Sequence, residues 1–183
     1  MNSDGTGMKF VADTAWSGSQ IDWAPRFHGV SVTWMNTLRV TVDCNSVHKN
    51  PTAALAWNAG AASIETLAAD GALEFTTAEN TTDKMAGLAT GDWGTDWRDI
   101  DFLFHLRDDG ALFVREGGSF RRRVGSYVAG DTFRMQVKAG VVTYWQNGVQ
   151  LYRSLATPVF PLLVDTSLRT PGATIQDVTL ETD

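Results

Sequence analysis

A chain of 183 residues, 43% hydrophobic and 20% charged, is long enough to fill one core and short for two, so we expect a single globular domain. Its formal net charge of −6 argues against a nucleic-acid partner, because polyanions are met by basic surfaces. One cysteine, Cys44, excludes a disulfide or a Cys-based zinc site within this sequence, and no run approaches the ~20 apolar residues that insert across a bilayer.

Residues 1–30 read as an arm. Gly5, Gly7, Gly18 and Pro25 are scattered among small polar residues with no sustained period, and Met1 to Gly5 lack the basic and apolar segments of a signal peptide. Trp16 and Trp23 are too apolar for a free tail, so the arm is expected to pack on the domain, residues 31–183, or on a partner: another protein or a second copy. His28 and His48 stand alone, without the spacing of a transition-metal site.

From Val30 onward the text is β. Trp34-Met35-Asn36 precedes a first strand, Leu38-Arg39-Val40-Thr41-Val42, which alternates apolar and polar as a half-buried strand does. Cys44 at its end reads as a small apolar residue, with no neighbouring base to activate a thiol. Ala53 to Ala62 is Ala-rich, but Pro51, Asn58 and Gly60 favour a loop, with a short turn near Ile64-Glu65-Thr66-Leu67 in place of a convincing helix. Leu73-Glu74-Phe75-Thr76 alternates again, and Lys84 to Leu88 is a further strand.

The stretch Gly91-Asp92-Trp93-Gly94-Thr95-Asp96-Trp97-Arg98-Asp99 has no strand period. Trp93 and Trp97 cannot both be core by periodicity, so they are candidates for a ligand-binding loop, against a packed surface loop. Asp92, Asp96 and Asp99 supply oxygens suited to Ca²⁺, although the register of a full calcium loop is missing; no other cofactor is expected. In Ile100 to Arg107, period 2 puts Ile100, Phe102, Phe104 and Leu106 on one face, and Asp101, Leu103, His105 and Arg107 on the other. That second row contacts either ligand hydroxyls or charges on neighbouring strands.

Asp108-Asp109-Gly110 turns the chain into Ala111 to Arg115. Gly117-Gly118 leads to Phe120 to Val124, where Arg121-Arg122-Arg123 reads as an exposed edge guarded by charge, or as an anion site. Thr132 to Lys138 and Val141 to Trp145 follow, and Asn147-Gly148 between apolar runs is a strong hairpin signal. If Val142 and Tyr144 face inward with Phe133, Met135 and Val137, then Trp145 stands outside beside Arg134 and Gln136. An indole flanked by hydrogen-bonding forks suits a pyranose ring; the alternative is that the arm covers it, with Trp16 or Trp23 near Trp145. Turns every 8–12 residues or so make the chain all-β: an antiparallel two-sheet jelly-roll sandwich with an N-terminal arm.

Three stretches, Ala129 to Val137, Gly140 to Gly148 and Pro158 to Leu162, resemble the C-terminal half of concanavalin A-like jelly rolls, above all SPRY and laminin-G-type members. Trp34-Met35-Asn36, Trp57 to Ala61 and Asp99 to Phe102 are similar to bacterial representatives, and the resemblance covers roughly residues 31–180. It implies carbohydrate or protein recognition. The E-x-D-x-x-E strand of the laminarinase-type glycosidases is missing, and Asp99-Ile100-Asp101 has no Glu in register, so no enzyme is expected. The expected function is a non-catalytic, lectin-like module binding polysaccharide or glycan in a bacterial or phage surface protein, extracellular or at a cell or virion surface. The alternative is an assembly subunit of a filament, capsid or tail whose arm docks on a neighbour.

Overall fold

The computed structural model describes residues 29–182. The expectations for the arm, Trp16 and Trp23 among them, lie outside these residues except at Gly29 and Val30. In chain order the first strands are β1 (Val30–Ser31), β2 (Trp34–Leu38), β3 (Val40–Asp43), β4 (Ser46–Lys49), β5 (Gly60–Leu67), β6 (Gly71–Thr76) and β7 (Lys84–Ala89). A single 3₁₀ turn, Trp97–Asp99, precedes β8 (Phe102–Leu106), β9 (Ala111–Glu116) and β10 (Ser119–Ser126). The chain closes with β11 (Thr132–Lys138), β12 (Val141–Gln146), β13 (Val149–Arg153), β14 (Leu162–Leu168) and β15 (Thr174–Thr182).

Two antiparallel sheets result, confirming the all-β sandwich. The first runs β13-β12-β11-β6-β15-β4-β3, with β1 added against β15; the second runs β10-β9-β8-β7-β14-β5-β2. No helix among the described residues is long and apolar enough to cross a membrane.

Alternation builds the core between the sheets. Phe75 from β6, Phe133 from β11, Tyr144 from β12 and Phe104 from β8 are fully buried, with ring centroids 5.2–6.3 Å apart. Each such side chain contributes about 1.5–3 kcal/mol of transfer free energy.

The structure corrects three readings of the sequence. Ile64 to Leu67 is no turn but the end of β5: β2 pairs with Gly60 to Ser63, Ile64 N–H donates to Thr33 O at 2.8 Å, and Thr66 and Leu67 pair with β14, which satisfies the backbone in an extended form. Leu38 to Val42 is not one strand: Arg39 takes a left-handed conformation, φ 54°, and the chain changes sheets there, β2 joining β5 in one and β3 joining β4 in the other. Trp34-Met35-Asn36 therefore lies in β2 instead of before the first strand.

The third concerns Ile100. It does not share a face with Phe102, Phe104 and Leu106; it packs with Leu103, Met85, Ala62, Ala89 and Leu163 on the outer side of the second sheet. Met35, Trp57 and Trp97 lie over this cluster. The outer face of that sheet is thus partly apolar and covered, and the outer face of the first remains polar.

Candidate functional site

The parity expected of the last hairpins is present. On β11, Phe133, Met135 and Val137 are buried and Arg134 and Gln136 are half-exposed; on β12, Val142 and Tyr144 are buried and Thr143 and Trp145 half-exposed. Tyr144 locks this register. Its hydroxyl donates to Glu116 Oε1 at 3.2 Å, and burial, reinforced by that carboxylate, pushes the phenol well above its ordinary pKa.

On the outer face Arg134 lies directly opposite Trp145 on one side and Glu74 on the other, and Gln136 faces Thr143. Glu74, Thr132, Arg134, Gln136, Trp145 and Gly148 line a shallow groove of about 270 Å³. Two fixed elements shape it. The indole Nε1–H donates to Thr143 Oγ1 at 2.9 Å, which orients the ring, and the Arg134 guanidinium is held by Glu181 Oε2 at 2.5 Å and Glu74 Oε2 at 3.5 Å. Gly148 reaches the groove because Asn147-Gly148 forms the expected turn, with φ 50° and 78°.

The structure does not bring the other expected residues to this groove. Trp93 is 86% exposed. Trp97 is half-buried with a guanidinium 4.7 Å from its ring centre on each of two sides, Arg98 and Arg115. Asp101, His105 and Arg107 do not form one ligand-facing row, because the covered outer face divides them. Asp101 accepts from Thr90 N–H at 2.8 Å and lines a cleft with Glu116 and Arg121. His105 is buried, 2.6 Å from Asp83 Oδ1 through Nε2 and accepting Arg115 Nε–H at Nδ1, 3.3 Å. Arg107 joins it only at the rim of a separate cleft with Phe113, Arg115 and Phe120.

The aspartates are also rearranged. Asp96 accepts from Arg98 N–H and pairs with the Arg98 guanidinium at 3.0 Å, and its carboxylate is not in the group that Asp92 and Asp99 form. Asp92 and Asp99 instead meet Asp165 of β14, with one carboxylate oxygen of each within 4.8 Å of the others.

Glu74, Thr132, Gly148, Glu181 and Asp165 were not anticipated. Glu74 alternates with Leu73 and Phe75, which marks it as outward, but only the β6–β11 register puts it beside Arg134. Asp165 directly follows the apolar run Leu162-Leu163-Val164, a charge in mid-strand that the sequence shows.

No protein-family model matches the sequence, and no curated protein does either. Solved structures do match. The PSpry domain of TRIM65 is 14% identical, with 80% of this chain aligned to 91% of that one at a TM-score of 0.63. The SPRY domain of human HERC1 is 10% identical over 80% and 97%, TM-score 0.60. The Emp47p carbohydrate recognition domain is 6% identical over 85% and 90%, TM-score 0.54. The fold is a concanavalin A-like jelly roll. In this jelly roll the open polar face and its indole groove lie on the first sheet, and the acidic cluster on the second.

Proposed function

We propose that the domain is a non-catalytic, lectin-like module that binds neutral sugar units of a polysaccharide or glycan in the groove around Trp145. The observation carrying this reading is an indole half-exposed on a sheet face, oriented by Thr143 and flanked by the Arg134 and Gln136 side chains. An indole covers the C–H face of a pyranose and side-chain forks bond its hydroxyls. Neutral sugars are favoured over acidic ones because Glu74 and Glu181 already neutralise Arg134 and a further carboxylate would meet theirs. The Emp47p domain, called a carbohydrate recognition domain, supports the reading by its fold alone. A groove this small holds one or two sugar units, so useful affinity comes from repetition on a bacterial or phage surface.

The test is a glycan array followed by calorimetry. Trp145→Ala is expected to weaken binding at least tenfold, about 1.4 kcal/mol, with circular dichroism unchanged, and Trp145→Phe to retain part of it. A folded protein that binds no neutral glycan, or that binds equally well without Trp145, overturns the assignment.

A further inference from the structure

We propose that Asp92, Asp99 and Asp165 form a Ca²⁺ site that fastens the β7–β8 loop to strand β14. The three carboxylates come from separate places: Asp92 and Asp99 bracket Trp93 in the loop, and Asp165 sits in the middle of the second sheet, between β7 and β5. One oxygen of each lies within 4.8 Å of the others. Ligand oxygens at 2.3–2.6 Å from a shared Ca²⁺ are at most about 5 Å apart, so a single ion spans the cluster.

The buried oxygens distinguish this cluster from an ordinary group of surface acids. Asp165 is 1% exposed. Its Oδ2, and Oδ1 of Asp99, are inaccessible to water and have no hydrogen-bond partner. Such oxygens forfeit hydration without replacement, a cost of several kcal/mol for a charged group. The remaining oxygens are already used: Asp92 accepts from Gly94 N–H at 2.8 Å and from the Asn36 amide at 2.7 Å, and Asp99 Oδ2 from Trp93 N–H at 3.0 Å. These bonds hold the two carboxylates in place.

The donors are all oxygens, with no imidazole or thiolate, which selects a hard cation. The site is built from an irregular loop and one strand, a geometry that Ca²⁺ accepts more readily than Mg²⁺, which demands a near-ideal octahedron. The site is independent of the Trp145 groove.

The full chain, freed of metal by chelator, should bind one Ca²⁺ by calorimetry with a Kd in the range of about 10⁻⁷ to 10⁻³ M spanned by sensors and extracellular modules. At a free Ca²⁺ concentration about a hundredfold above Kd the Tm should rise by about 5–10 °C. Tb³⁺ should bind with luminescence sensitised by Trp93, and Trp93→Phe should dim it without changing affinity for Ca²⁺. Asp165→Asn and Asp99→Asn should each weaken Ca²⁺ at least tenfold, while Asp96→Asn, at a carboxylate outside the cluster, weakens it less than threefold. Should Asp165→Asn fail to fold, the half-exposed Asp99→Asn carries the test. Absence of Ca²⁺ binding to the wild-type chain, wild-type affinity in Asp99→Asn, or tighter binding of Mg²⁺ than of Ca²⁺ overturns the proposal.

Discussion

Asp131 shows how one side chain can set the position of a hairpin. Its Oδ2 accepts from Val128 N–H at 2.8 Å and Gln146 Nε2 at 2.7 Å, and its Oδ1 from Asn147 Nδ2 at 2.7 Å. Partial burial pushes the carboxyl up, but the hydrogen bonds from Asn147, Val128 and Gln146 outweigh it and hold the pKa below the usual carboxylate value. A depressed folded-state pKa means that the stability it contributes is present above the unfolded value, about 3.9, and is lost as pH falls through the folded one. Asp131→Asn should therefore cost roughly 1 kcal/mol at pH 7, and the gap between variant and wild type should narrow as pH falls through the folded-state pKa. Denaturant midpoints measured between pH 2 and 7 check this; a gap that persists undiminished at the acid end would refute it.

At the scale of elements, the β12–β13 hairpin carries the site because its turn fixes which residues face out. Asn147 also accepts Thr132 N–H at its Oδ1, 2.9 Å, docking the tip on β11. Gly148→Ala forces a side chain into φ 78°, at a cost of about 1–2 kcal/mol. We expect a Tm lower by about 2–8 °C and weaker glycan binding, since Gly148 lines the groove; thermal melts with and without ligand measure both. This hairpin was legible in the sequence because period 2 and Asn-Gly are local signals. The site was legible only along β11 and β12, where Arg134, Gln136 and Trp145 could be placed by counting. Glu74 and Glu181 could not, since their nearness to Arg134 depends on pairings of strands far apart in the chain. For Asp101, His105 and Arg107 counting left two alternatives, and His105 meets the second, charges on neighbouring segments, at Asp83 and Arg115; counting does not show that Trp57 and Trp97 cover part of that face. Ile64 to Leu67 was misjudged because an Ala-rich approach obscures the β-branched residues that follow.

Across the whole molecule, two buried lysines tie the sheets together. Lys49, on β4 of the first sheet, donates to the carbonyls of Leu168 and Arg169 at the end of β14 in the second, at 3.0 and 2.7 Å, and to Ala56 O and Asn58 Oδ1. Lys84, on β7 of the second sheet, pairs with Glu79, whose Oε2 accepts from Thr174 Oγ1 at the start of β15 in the first. Burial lowers the pKa of both amines. Lys49→Met strands acceptors that have lost their donor, and Lys84→Met leaves Glu79 without its cation; each should destabilise the domain by about 3–5 kcal/mol, read from urea midpoints.

Strand β10 ends the second sheet with Arg121, Arg122 and Arg123 exposed beside Phe120. Two copies meeting border to border would face these guanidinium groups with each other, and the resulting repulsion extends about 10 Å in 0.1 M salt but only about 3 Å at 1 M. Light scattering should find monodisperse particles in dilute buffer and growing clusters as salt is raised.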